Sequence, residues 1–324
     1  MDRLRLIERN SGSAYASRPD KRMHRAHHRA AVIVDVWQRK KDSECFVMVQ
    51  KKISSLPPEM FEHYADPAQE DGRLFGGNGP LELERTKRLI ARYLPAPPQV
   101  VRDVGGGTGI YSHWLAALGY ETHLLDAVPV LVDMANSKTA EGIALASAQV
   151  GDARDLPWPD NSSDLVLLFG PLYHLIEKRD RMLVLSEAFR VLKPGGLVLG
   201  VGIPRLVTTM NALLQGMGRS MEFWEMARAD AQTGQHRSRP STPNFTTAYF
   251  HDPDEFAAEF KESAFVLEDF VGVEGPGWLA PDFPVLWSDH VRRAQILEAA
   301  ESLERRSDIM GMNKHVMAVG RKRH

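Results

Sequence analysis

The sequence predicts an α/β protein built on a doubly wound, mostly parallel sheet. Three observations carry this expectation. Short apolar runs alternate with helical segments from about residue 100 to residue 203, the turn "DVGGGTG" joins the first such run to a helix, and Asp126 closes the second run. Strands alternating with helices pair in parallel, because each helical crossover returns the chain to the same edge of the sheet. Ligands of such sheets sit beyond the carboxyl ends of the strands, where the glycine turn falls.

The first 57 residues read differently from the rest. "RPDKRMHRAHHRA" is crowded with Arg, Lys and His and has little apolar periodicity. It reads as a basic, flexible extension, and a nucleic-acid arm or a later start at Met23, Met48 or Met60 stay open beside that. "AAVIVDVW" and "ECFVMVQ" are strand-like without a place in the main sheet. The regular domain is expected over residues 58–324, beginning with helices over 58–95. In "LELERTKRLIARYL" the residues Leu81, Leu83, Leu89, Ile90 and Leu94 fall near helical spacing, and "PAPP" then stops the helix.

The alternation follows: a strand at 100–104, a helix at 109–118, a strand at 121–126, a helix near 129–137 and a strand near 145–150. "SDLVLLFG" is the fourth strand, "KRDRMLVLSEAFRVL" an amphipathic helix, "KPGG" a turn and "LVLGVGI" the fifth strand. The pattern breaks over 204–250. "RLVTTMNALLQGMGRSMEFWEMARADAQTG" can be helical despite its glycines, whereas "QHRSRPSTPNFTTAYF" is rich in turn formers. "DPDEFAAEFKESAF" is an N-capped helix leading to a sixth strand, "VLEDFVGVEG", and "KHVMAVGRK" closes the sheet as a seventh. Between these two strands, 275–312 carries Trp278, Trp287 and the helix "HVRRAQILEAAESLERR".

Composition narrows the function classes. The chain of 324 residues is 43% hydrophobic and 25% charged, ordinary for a globular protein, and its net charge of -2 offers no electrostatic argument for nucleic acid or an anionic membrane. Its single cysteine, Cys45, leaves no intramolecular disulfide framework or multi-cysteine metal site, and no metal ligand set is expected. No apolar run is long enough to span a bilayer and no secretory signal pattern opens the chain, so a cytoplasmic protein is expected.

In the glycine turn, Gly105, Gly107 and Gly109 form G-x-G-x-G, which lets backbone N–H groups approach a ligand closely. A dinucleotide loop wants its last glycine where Ile110 stands. Asp126, at the tip of the second strand, is placed to accept hydrogen bonds from ribose hydroxyls.

In these motifs the chain resembles the class I S-adenosylmethionine-dependent methyltransferases, in their broad bacterial group with small-molecule-type variants. "RDVGGGTG" is similar to their first motif, "HLLD" to their ribose-binding acid, "GDARDLPWPDNSSDLVLLFGPLYHL" to their adenine loop and fourth strand, and "RVLKPGGLVLGVGI" to their turn into the fifth. The resemblance covers about residues 60–322. It implies a seven-stranded, Rossmann-like methyltransferase fold in which 58–95 forms an N-terminal lid, with acceptor-side insertions at 204–250 and 275–312. S-adenosylmethionine is the implied cofactor. Asp103 and the turn Gly105, Gly107, Thr108 and Gly109 would surround its methionine part, Asp126 with Ala127 its ribose, and Asp152 with Ala153 its adenine. Gly170 would lie beside the sulfonium.

Methyl transfer needs alignment above all, and a base only when the acceptor must lose a proton. Two residues just past the fourth strand are the catalytic candidates: His174 as a general base and Tyr173 as an orienting hydroxyl or a wall against the sulfonium. Each is equally open to a packing role. His251 is a third candidate, with the start of a helix as its alternative role. In the lid, Tyr64 could close the pocket and Arg73 pair with a carboxylate, and "GGNG" at 76–79 is a mobile-looking turn. Met210, Met217, Met221, Trp224 and Met226 either line an acceptor pocket or form core. The leading expectation is O- or N-methylation of a small-molecule acceptor. Intramolecular cyclisation of the same cofactor, a nicotinamide oxidoreductase, and a noncatalytic cofactor-binding or RNA-associated protein are the competing readings; the oxidoreductase is disfavoured by Ile110.

Overall fold

The computed structural model describes residues 56–214, 216–237 and 245–323. Apart from its last two residues, the basic extension expected over 1–57 lies outside these, as does the middle of "QHRSRPSTPNFTTAYF". Three helices open the described chain: α1 (Pro58–His63), α2 (Pro67–Arg73) and α3 (Gly79–Tyr93). Proline opens α1 and α2, and Asp66 caps α2 by accepting from the Ala68 and Gln69 amides.

The alternation is as expected: β1 (Val100–Val104), α4 (Ile110–Ala117), β2 (Glu121–Asp126), α5 (Pro129–Glu141), β3 (Ser147–Val150) and β4 (Ser163–Leu168). Then come a single-turn helix α6 (Pro171–His174), α7 (Lys178–Val191) and β5 (Leu192–Gly202). "KPGG" is not a free turn. It belongs to β5, because Gly195 N–H donates to the Lys322 carbonyl at 2.9 Å and Lys322 N–H to that of Gly196 at 3.0 Å. Gly195 takes φ +80° there, and the register against β4 slips between Ser163 and Leu165.

After β5 the helical stretch divides at Gly216, which takes φ +66°, into α8 (Val207–Leu214) and α9 (Met221–Thr233). A two-residue pair follows, β6 (Gln235–His236) with β7 (Ala248–Tyr249). Then come α10 (Pro253–Glu262), β8 (Val266–Gly272), α11 (Phe283–Ser288), α12 (His290–Leu303) and β9 (Val316–Arg321).

The seven-stranded sheet has the order β3-β2-β1-β4-β5-β9-β8. The first five strands are mutually parallel and β9 runs antiparallel between β5 and β8. The central strands bury both faces. Leu165, Leu167, Leu197, Leu199 and Val201 form one core with Leu89 and Ile90 of α3, while on the other face a side chain at Gly200 would meet Phe260 of α10. A crossover reverses direction between β1 and β4, so the loops after those two strands open a crevice at the carboxyl edge.

Most of the methionine-rich segment forms core. Phe223 and Met226 pack with Ala212, and Met217 and Trp224 lean against them, while Met210 joins the cluster of Leu81, Trp278 and Phe283. Met221 is exposed.

Candidate cofactor and acceptor site

The turn after β1 is shaped by left-handed glycines: Gly105, Gly107 and Gly109 have φ of +76°, +56° and +81°. A side chain on Gly105 would lie 2.6 Å from the Pro171 ring, so close approach of the β1 and β4 ends demands glycine there. At Gly107 an added Cβ would meet no described residue within 4 Å, so among the described residues the loop backbone is uncovered at that point.

Two buried acids stand beneath this opening. Asp126 accepts from Gly107 N–H at 2.9 Å with one oxygen and from Val128 N–H at 2.8 Å with the other, which ties the tip of β2 to the loop. Burial pushes its carboxyl up to about 6 against those amides, which favour the charged form. Asp103 accepts the Ser112 hydroxyl at 2.6 Å through Oδ2, and its buried Oδ1 has no hydrogen-bond partner among the described residues. Burial raises Asp103 to about 6 as well, with Ser112 opposing. Asp152 is also buried, and Arg154 covers it with its amide at 2.8 Å and its guanidinium at 2.6 Å. Ala127 and Ala153 follow these acids at the carboxyl edge, and Gly170 approaches the Gly105 backbone.

Helix α2 is tied to this edge by a hydrogen bond and an ion pair. Asp71 of α2 accepts the Thr108 hydroxyl at 2.8 Å and pairs with Lys138 of α5, so the Thr108 hydroxyl is already committed. Arg73, last in α2, donates through Nη1 to both oxygens of Glu82 at 2.9 Å and through Nε to Glu70 at 3.3 Å. Its side chain is nevertheless 44% accessible, which leaves donors for a further carboxylate. The "GGNG" segment is less free than its composition suggests: a side chain at Gly79 would lie 2.3 Å from the Arg73 carbonyl.

Beyond β4, the Tyr64 hydroxyl lies 2.9 Å from His174 Nε2, and Phe245 stacks on the His174 ring with centroids 5.8 Å apart. Burial, helped by His63, pulls His174 down to about 3, so near neutral pH it is an uncharged and weak base. Tyr173 donates its hydroxyl to the Phe169 carbonyl at 2.8 Å, and burial raises its pKa. The two are held firmly, because Arg181 binds the Leu175 and Ile176 carbonyls and forms a buried pair with Glu259 at 2.7 Å. His251 is fully buried between Tyr249 and Phe256, with neither ring nitrogen hydrogen-bonded among the described residues, and Asp252 beside it caps α10.

Residues that sequence reasoning missed are Asp71, Glu82, Glu274 and His315. The last three present ligand-type atoms within 4.8 Å of one another. Arg73 takes both Glu82 oxygens, and His315 takes both Glu274 oxygens through its amide at 3.0 Å and Nδ1 at 2.6 Å. These internal partners already balance the two carboxylates. No spacing rule joins residues so distant in the chain.

An acid-tipped second strand, an uncovered glycine loop and one antiparallel strand in an otherwise parallel core are the features of an α/β protein of the methyltransferase fold class. Residues 102–200 match the family model described as a methyltransferase domain. The chain is 30% identical over 158 residues to an uncharacterized methyltransferase of Mycobacterium tuberculosis, covering 49% of this chain and 58% of that protein. It is 28% identical over 195 residues to the ubiquinone/menaquinone biosynthesis C-methyltransferase of Acidiphilium cryptum, covering 58% and 75%. A solved S-adenosylmethionine-dependent methyltransferase from Methanosarcina mazei shares the fold, with TM-score 0.50 and 18% identity over 72% of this chain and 97% of that one. The chain thus spans little more than half the length of the first of these relatives. The matched region is thus similar to the class I S-adenosylmethionine-dependent methyltransferases, whose cofactor is S-adenosylmethionine. The described residues fit that cofactor: the orphaned Asp103 oxygen suits an ammonium, Asp126 a diol, and the open face of Gly107 leaves room for the chain between them. No helix among the described residues is long and apolar enough to cross a membrane.

Proposed function

We propose that the protein transfers a methyl group from S-adenosylmethionine to the oxygen or nitrogen of a small-molecule acceptor. The observation that carries the reading is the pairing of Asp126 with Gly107 beneath an open loop face, with the unpartnered Asp103 oxygen nearby. When bound, the cofactor supplies an electrophilic methyl on a sulfonium. The protein then has to bind, orient and exclude water.

In this reading Asp126 and Ala127 hold the ribose, Asp103 and the turn Gly105–Gly109 the methionine part, and Asp152 and Ala153 the adenine. Arg73 offers its accessible donors to the methionine carboxylate while Glu82 and Glu70 hold it in place. Tyr64, Tyr173, His174 and Phe245 wall the side where the acceptor enters, and Gly170 leaves space beside the sulfonium. His174, uncharged and hydrogen-bonded to Tyr64, serves this wall as an orienting group.

Calorimetric titration with S-adenosylhomocysteine tests the site, and product analysis tests the reaction. S-adenosylhomocysteine formed with a panel of hydroxylic and amine acceptors supports the proposal. Methylthioadenosine as the nucleoside product would replace it with cyclisation, and no binding of S-adenosylhomocysteine would remove it.

A further inference from the structure

The antiparallel strand β9 brings a histidine to the acceptor edge. Val316 pairs with Gly202 of β5 and with Gly272 of β8, so His315 lies just past the carboxyl ends of both strands, on the edge where the glycine loop opens. Its Nδ1 is 2.6 Å from Glu274 Oε1 and 3.9 Å from Glu82 Oε2, and no described residue hydrogen-bonds its Nε2. Glu274 is itself rigidly placed. The residue before it is held at both ends, by Arg85 Nε on the Val273 carbonyl at 3.0 Å and by Val273 N–H on the His315 carbonyl at 3.0 Å. On the other side Gly275 N–H donates to Asn313 Oδ1 at 2.7 Å. Such a braced carboxylate–imidazole pair has the form of a preorganised base.

Resting on the methyltransferase reading above, we propose that His315 is the general base of the reaction, positioned by Glu274, and that the acceptor is therefore a hydroxyl or amine that must lose a proton. Glu274 accepts the Nδ1 proton and fixes the tautomer, leaving the Nε2 lone pair facing the acceptor. As the acceptor's O–H or N–H proton passes to Nε2, its heteroatom forms a bond to the sulfonium methyl. The carbon–sulfur bond breaks with its electron pair going to sulfur, which becomes a neutral thioether. The imidazolium then returns its proton to water.

The charge environment agrees. Burial would lower His315, but Glu274 and Glu82 outweigh both it and the neighbouring Lys314, and the net shift is upward; Arg73 balances Glu82 from the far side. A raised histidine is a competent base above its own pKa, so the rate should climb with pH beyond the ordinary histidine range. His174, with its lowered pKa, offers no such limb.

The test uses the full chain, free and with S-adenosylhomocysteine, and needs no knowledge of the natural acceptor. Diethyl pyrocarbonate modifies unprotonated, reachable Nε2 atoms, and peptide mass spectrometry locates the modification. His315 should react with a pH midpoint above the ordinary histidine range, and Glu274→Gln should move that midpoint down. His315→Asn keeps a donor toward Glu274 while removing Nε2, so S-adenosylhomocysteine affinity should stay near wild type, and any lost imidazole–Glu274 pairing is read separately in thermal melts. In the same variant, transfer of labelled methyl to weakly acidic phenols should fall by about 10² to 10⁴, with transfer to phenols already ionised largely kept. Resistance of His315 to the reagent while His290 reacts overturns the proposal, whether or not any phenol turns over. So does an undiminished rate for His315→Asn on a weakly acidic phenol. Loss of S-adenosylhomocysteine binding in the wild type would instead strike the methyltransferase reading itself.

Discussion

Thr108 of the glycine loop donates its hydroxyl to Asp71 of α2 across 2.8 Å, and Lys138 pairs with the same carboxylate. The glycine loop and α2 are thus joined by one acid. A half-buried contact of this kind contributes about 1 kcal/mol. Asp71→Ala should therefore leave global stability nearly unchanged and speed release of S-adenosylhomocysteine by roughly fivefold, since 1.4 kcal/mol is tenfold. Stopped-flow displacement checks this; an unchanged release rate would show that the contact does not hold the lid.

Asp126 carries two backbone hydrogen bonds in the free protein and would add those of a diol on binding. Hydrogen bonds to a charged group are worth about 1.5–3 kcal/mol, so Asp126→Ala should weaken S-adenosylhomocysteine binding at least tenfold, and Asp126→Asn less. Calorimetry reads both, and full affinity in the alanine variant would remove the ribose assignment.

The acids at positions 103 and 126 both titrate near 6 because burial disfavours their charge. A ligand that donates hydrogen bonds or an ammonium favours the ionised forms, so binding should release protons. Affinity should accordingly be flat above pH 6 and fall as pH drops through 6, by up to about tenfold per pH unit for each linked proton. For folding the sign is opposite: the raised values penalise the folded state above pH 6, and the penalty eases between about pH 6 and 4. Titrations at several pH values, paired with denaturant melts, separate the two effects.

Glu82 shows the reverse shift. Burial works against its charge, yet Arg73 leads the cations that outweigh it and bring the carboxyl down to about 2. The stability this supplies is present above the unfolded value of 4.5 and fades as pH falls toward 2. Removing Arg73 by substitution with Ala leaves a mostly buried acid short of its main partner. Breaking a fully buried pair costs about 3–5 kcal/mol, and the accessibility of Arg73 reduces this to roughly 1–2 kcal/mol. Urea denaturation at pH 7 measures the loss, and Arg73→Lys should recover only part of it, since one ammonium cannot span Glu82 and Glu70 together.

Gly107 and Gly105 make a contrasting pair. Alanine at Gly107 meets no atom but must adopt φ +56°, costing about 1–2 kcal/mol, and its methyl would stand in the cofactor's space. The expected result is a folded protein with strongly reduced S-adenosylhomocysteine affinity. Alanine at Gly105 adds a 2.6 Å clash with Pro171 to the same strain, so it should be the less stable of the two in thermal melts.

The sequence by itself determined the strand and helix alternation, the glycine turn and the acid at the tip of β2. These are local signals: periodicity, turn residues and one acid a short way along the chain. It misread "KPGG" as a turn because the pairing of Gly195 and Gly196 with Lys322 comes from the other end of the chain. It left the methionine-rich stretch open between pocket and core, which packing of Met226, Phe223 and Ala212 decided for the segment's centre. Only the tertiary structure set Tyr64 against His174, Asp71 against Thr108, and Arg73, Glu82, Glu274 and His315 in one chain of charges. Those contacts join distant segments through side chains whose types are common on any surface. Burial and the antiparallel course of β9 are what bring them together, and neither is written in local sequence.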